Sequence, residues 1–106
     1  MSDAPDIGLI ALDLDGTLVK GPNGVTPRVR ASIRDAQDAG IQITIATGRM
    51  YQSARRFAED LDVALPIICY QGAMVRHPLT DEISVHDVVP HGSAVAAIAF
   101  ARGIGL

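Results

Sequence analysis

Residues 7–14 read Ile-Gly-Leu-Ile-Ala-Leu-Asp-Leu, an almost unbroken apolar run that ends against Asp15 and Gly16. Apolar side chains in succession, without strict alternation, describe a β-strand covered on both faces, which is the condition of a parallel sheet. Parallel pairing cannot be closed by a tight hairpin, so a crossover helix must precede the next strand. The sequence supplies one. Gly21-Pro22-Asn23-Gly24 is dense turn chemistry, and Thr26-Pro27 reads as an N-cap followed by proline at the first helical position. The spacing of Val29, Ile33 and Ala36 predicts a helix over 27–39 with those residues inward, stopped by Gly40.

The β-branched run at 41–46 predicts a second strand, and Thr47-Gly48-Arg49 a turn. A second helix is predicted over 50–61 with Ala54, Phe57, Ala58 and Leu61 inward. A third short strand follows at 66–70, with Pro66 tolerated at its first position. Strand, helix, strand, helix, strand with short connections predicts an α/β fold: a partial Rossmann-like parallel sheet of three strands with flanking helices.

The rhythm then changes. Segments 74–77 and 82–88 predict a β-hairpin around a turn at 78–81. Ser93 is a candidate N-cap for a last helix over 94–102, which carries Val95, Ile98 and Phe100 among alanines and has almost no polar face. A helix apolar all round is expected to be buried.

Composition narrows the function classes. A length of 106 residues suits one small domain, and one cysteine, Cys69, excludes a disulfide framework and fits a reducing, cytoplasmic setting. No apolar run approaches the ~20 residues of a membrane helix, and no basic-then-apolar leader opens the chain, so no membrane partner is expected. A net charge of −3 gives no general attraction to nucleic acid. The segment 26–56 is locally basic, with Arg28, Arg30, Arg34, Arg49, Arg55 and Arg56 against Asp35 and Asp38. These arginines are either solvated helix faces or, in one or two cases, partners of an anionic substrate. His77, His86 and His91 have no cysteine or carboxylate at ligand spacing and are read as surface residues rather than a zinc site. Cys69 is read as a small buried hydrophobe.

Asp13 and Asp15 carry the most chemical information. Unpaired carboxylates are costly inside a covered strand but fit at its carboxyl end, where open α/β sheets bind ligands. Alternation puts both on one side, and two adjacent carboxylates attract a hard cation such as Mg²⁺, which takes one or two carboxylates together with phosphate oxygens. Gly16 lets the backbone turn sharply beside them. Asp-x-Asp alone also suits a solvated turn. One βα unit later, Thr47 and Gly48 at a helix start suit a phosphate oxygen, or Thr47 caps the helix. Arg49 suits either a substrate anion or a salt bridge near the site.

The full string Asp13-Leu14-Asp15-Gly16-Thr17-Leu18 after an apolar strand resembles the first motif of the haloacid dehalogenase-like superfamily, whose members are mostly phosphatases. Residues 43–49 resemble its second motif, and Thr47-Gly48-Arg49 the form found in the Cof-type, sugar-phosphatase-like branch. The resemblance implies hydrolysis of a small phosphorylated metabolite through an aspartyl-phosphate, with Asp13 as nucleophile and Asp15 as general acid and base. It further implies Mg²⁺ held by Asp13 and by Asp15 through its carbonyl, and a phosphoryl group held at Gly16, Thr47, Gly48 and Arg49. Residues 19–25 would be a short flap beside the site, residues 1–90 a partial core with its hairpin, and residues 91–106 the start of a truncated second unit. Tyr70-Gln71-Gly72-Ala73 matches an Asn-Gly-Ala segment of that branch except for glutamine at 71.

Family members are considerably longer. Their third motif supplies a lysine and their fourth acidic metal ligands, whereas the one lysine here is Lys20 and no acidic cluster follows Asp87. The expectation is a truncated form with weak or no activity. In the family the first strand is central, so one edge of residues 7–13 would be bare and open to a homodimer or an element swap. Two other classes remain: a non-catalytic binding module with the same fold, and a receiver-like signalling domain phosphorylated on aspartate.

Overall fold

Alternation begins where the first strand meets the core. In the computed structural model, which describes residues 6–106, β1 (Leu9–Leu12) has Ile10 and Leu12 half-buried and Leu9 and Ala11 exposed. The expected covering of both faces is thus not found: β1 is packed on one face only, and Leu14, two residues past its end, is the fully buried residue of this segment.

Helix α1 (Pro27–Asp38) starts and stops as its sequence dictates. The Thr26 side chain accepts from the Val29 N–H at 3.3 Å, and Pro27 occupies the first turn. At its end Gly40 takes φ +89°, with Gly40 N donating to Gln37 O and Ile41 N to Ala36 O, both at 3.0 Å. That is the paired closure of a Schellman cap. Ile33 is buried, with Val29 and Ala36 packed half-buried beside it.

β2 (Gln42–Ile45) pairs parallel with β1 in the register Leu9 to Gln42 through Leu12 to Ile45. Helix α2 (Tyr51–Asp60) buries Ala54 and Ala58 as expected, and also Tyr51. Its N-cap is Met50, which makes no side-chain capping bond. β3 (Ile67–Cys69) meets β2 through a single parallel bridge between Ala46 and Ile68, supported by the Thr44 hydroxyl donating to Pro66 O at 2.7 Å. β3 thus lies parallel beside the β1–β2 pair, as expected, joined to it by that one bridge, and its other edge is free to start a second ladder. It pairs antiparallel with β4 (Met74–Arg76), which pairs antiparallel with β5 (Ile83–His86).

The hairpin turn is held by His77, whose Nδ1 accepts from Leu79 N at 3.1 Å and Thr80 N at 3.3 Å. His77 is half-buried and shapes the turn, a structural part beyond its reading as a surface residue. Cys69 is fully buried, and burial pushes its thiol pKa up against the opposing pull of Arg76.

Helix α3 (His91–Gly103) starts earlier than expected, after Pro90 instead of at Ser93. It contains no buried residue, and Val95, Ile98 and Phe100 are 52%, 53% and 70% exposed. The expectation of a buried helix fails because no other described element lies over it. The chain is accordingly long, with extents of 61 × 31 × 30 Å and a radius of gyration of 17.4 Å against about 13 Å for a compact chain near 100 residues. No helix among the described residues is long and apolar enough to cross a membrane.

Candidate active site

Two strand exits build the site. Past β1 the backbone folds over itself: Thr17 N and Val19 N both donate to Leu14 O, at 3.2 and 2.8 Å, and Gly16 N donates to Val19 O at 2.8 Å. Gly16 has φ +82°, a left-handed conformation that a Cβ would strain. This tight loop presents Asp13 and Asp15 outward while Leu14 between them is driven into the core.

Past β2, Thr47 is buried, and its Oγ1 accepts from Arg49 N at 3.0 Å. The hydroxyl organises the turn ahead of α2 without capping the helix itself, and no acceptor among the described residues takes its proton. Asp13, Thr47, Gly48, Gln71 and Gly72 line an open cleft of about 330 Å³. An adjoining hollow is lined by Asp13, Asp15, Thr47, Gly48 and Arg49. Every candidate residue therefore falls at this one place, apart from Gly16, which shapes the loop. The size suits a small molecule.

Arg49 makes a salt bridge at the site and also lines its hollow. Its Nε donates to Asp15 Oδ2 at 2.8 Å and its Nη2 to Asp15 Oδ1 at 2.6 Å, a bidentate pair. Nη1 is held by the Ser53 hydroxyl at 3.0 Å, and the guanidinium lies 5.0 Å from the Phe57 ring centroid. The hydrogen bonds from Arg49 hold the Asp15 carboxyl below its ordinary pKa, and the pair raises that of Arg49 in turn. Asp13 Oδ1 accepts from Leu14 N at 2.8 Å, and no described cation pairs with Asp13.

The donor set fits Mg²⁺ in one way. No group of three or more His, Cys, Asp or Glu among the described residues gathers as a metal centre. Mg²⁺, however, commonly takes one or two carboxylates and completes its shell with water and phosphate oxygens. Asp13 offers a carboxylate clear of cations. The Asp15 carboxylate has both oxygens engaged by Arg49, so only its backbone carbonyl suits a metal.

Gln71, the one departure from the Asn-Gly-Ala segment and not among the candidate site residues, also stands at the cleft. It has φ +57°, and its carboxamide lies over Gly48 at the cleft. The only signal was its position in a segment matching Asn-Gly-Ala.

Comparison with known proteins places this geometry in context. The family of haloacid dehalogenase-like hydrolases matches residues 10–105. The chain is 38% identical over 73 residues to the 5-amino-6-(5-phospho-D-ribitylamino)uracil phosphatase YitU of Bacillus subtilis, covering 69% of this chain and 27% of that protein. It is 38% identical over 64 residues to the pyridoxal phosphate phosphatase YbhA of Escherichia coli, covering 60% and 24% respectively. Among solved structures, a haloacid dehalogenase-like hydrolase from Bacteroides thetaiotaomicron superposes with a TM-score of 0.83 at 27% identity, over 92% of this chain and 38% of that one. The chain thus spans about a quarter of the length of the curated relatives it matches.

Proposed function

The chain belongs to the haloacid dehalogenase-like hydrolase family, and on that premise we propose that it carries the nucleophile side of a phosphatase site for a small phosphorylated metabolite. The observation that supports this is the shared cleft: Asp13 from the exit of β1 and Thr47 and Gly48 from the exit of β2 line one cavity. Ligands of open α/β sheets bind at such strand exits. The relatives' names, both phosphatases of phosphorylated small molecules, point the same way.

In the proposed reaction Asp13 attacks the phosphorus of a phosphate monoester. An aspartyl-phosphate forms and the ester oxygen leaves. The Leu14 N–H holds Asp13 Oδ1, which leaves Oδ2 as the attacking atom. Asp15 gives a proton to the departing oxygen and then takes one from the water that hydrolyses the acyl phosphate. Thr47, whose hydroxyl proton is unspent, donates to a phosphoryl oxygen. The Asp13 carboxylate and the Asp15 carbonyl would hold Mg²⁺, which when bound offsets the repulsion between an anionic nucleophile and an anionic substrate. Residues 91–106 are proposed to open a second unit over the cleft.

A second reading, a phosphate-binding module without turnover, is favoured by the Arg49 pair, which engages both carboxylate oxygens of Asp15. Release of colour from an aryl phosphate with Mg²⁺, by the complete gene product and its Asp13→Asn variant, separates the two. Turnover lost in the variant supports the phosphatase. Phosphate binding without turnover in the unmodified protein supports the module.

A further inference from the structure

Tyr70, Gln71 and Gly72 are consecutive residues with φ of +52°, +57° and +96°. Left-handed backbone is disfavoured for side chains that carry a Cβ and persists only where the surroundings over-determine it, commonly at ligand sites. Here the surroundings are the Thr47-Gly48-Arg49 turn. Thr47 N donates to Ile68 O at 2.9 Å, Tyr70 N to Arg49 O at 2.9 Å, and Gln71 N to Thr47 O at 3.2 Å. Two of these backbone hydrogen bonds stitch the strained turn itself to the turn that carries the site, and the third ties β3 to it.

The result is the placement of one carboxamide. A Cβ on Gly48 would fall 2.5 Å from Gln71 Nε2 and 2.8 Å from its Cδ, so glycine at 48 leaves room for the Gln71 side chain and little else. Gln71 is exposed on the cleft that Asp13 and Thr47 line, with its N–H donors open to a ligand. A phosphate dianion beside the Asp13 carboxylate needs donors, and the nearest guanidinium is committed to Asp15.

We propose that Gln71 is a substrate-binding residue, its carboxamide donating to a non-bridging oxygen of a phosphate monoester held between Asp13 and Thr47. This rests on the reading of the cleft as a phosphate site. The strain at 70–72 is then the means by which a flexible side chain is aimed across Gly48.

The test is a titration of the 106-residue protein with inorganic phosphate, followed by the amide resonance of Gly48 in ¹⁵N spectra. Gln71→Ala should weaken binding about tenfold, the loss of one hydrogen bond to a charged acceptor, and Gln71→Glu should weaken it more. Gln71→Gly should raise the melting temperature by relieving the left-handed strain while still weakening phosphate, an opposition that a purely structural role would not produce. Thr47→Val serves as the reference for the site. If Thr47→Val weakens phosphate and the Gln71 variants bind as the unmodified chain does, the role of Gln71 is overturned and the site stands. If Thr47→Val has no effect, or the unmodified chain does not bind phosphate, the phosphate reading falls and Gln71 with it.

Discussion

Arg49 grips both carboxylate oxygens of Asp15, with Nε 2.8 Å from Oδ2 and Nη2 2.6 Å from Oδ1. Hydrogen bonding to the charged form lowers a carboxyl pKa, so the pair stabilises the base form of Asp15 over the acid form. Replacing Arg49 by glutamine should move the Asp15 titration up toward the ordinary aspartate value near about 3.9, read from the carboxyl ¹³C shift. The sign for stability follows. A depressed folded-state pKa contributes stability above the unfolded value, lost as pH falls through the folded one. Asp15 is exposed, so this contribution is small and fades with salt. In turnover the leaving oxygen needs protonated Asp15. The high-pH fall of kcat/KM in the complete gene product should therefore shift upward in Arg49→Gln, and an unmoved limb would exclude Asp15 as the acid.

Gly16 tests the loop rather than the chemistry. Nothing lies within 4 Å of where its Cβ would stand, so Gly16→Ala meets no clash and pays only for left-handed backbone at φ +82°. The expected cost is about 1–2 kcal/mol, measured by urea unfolding. An unchanged midpoint would mean the loop relaxes freely.

Two isoleucines should behave oppositely. Ile45 is fully buried in the hydrophobic core, and Ile45→Ala should cost about 2–5 kcal/mol. Ile98 on α3 is 53% exposed, and Ile98→Ala should change stability by less than about 0.5 kcal/mol. A large loss at Ile98 would show that α3 is covered in solution.

The outer edge of β1 offers a prediction about association. Gln42 N donates to Gly8 O and Ala46 N to Leu12 O, so alternate residues of β1 face β2 and the Ala11 N–H points away from it. Among the described residues no strand pairs that edge. We propose that a second copy of this chain does. Sedimentation should then show mass rising with concentration, and Ala11→Pro, which removes an outward donor and spares the β2 ladder, should suppress the rise. A concentration-independent monomer would contradict the proposal.

The elements were legible in the sequence where the signals were local. The Thr26-Pro27 start and Gly40 stop of α1 are backbone chemistry within a few residues, and Asp13-Leu14-Asp15-Gly16 encodes its own loop. What depended on distant chain was not legible. Continuous apolarity at 7–14 reads as burial on both faces, and the apolar α3 as a buried helix, because hydropathy reports what a segment can bury and not what is present to bury it. The role of His77 in its turn, and the reach of Gln71 across Gly48, come from tertiary placement that no spacing rule contains.

The central claim is that Asp13 takes the phosphoryl group. Its most direct test is acid quenching of the complete gene product during turnover of an aryl phosphate with Mg²⁺, followed by peptide mass mapping. The account predicts a phosphoryl adduct on the peptide containing Asp13, lost in Asp13→Asn along with turnover. Full turnover by Asp13→Asn, or an adduct on a different residue, would contradict it.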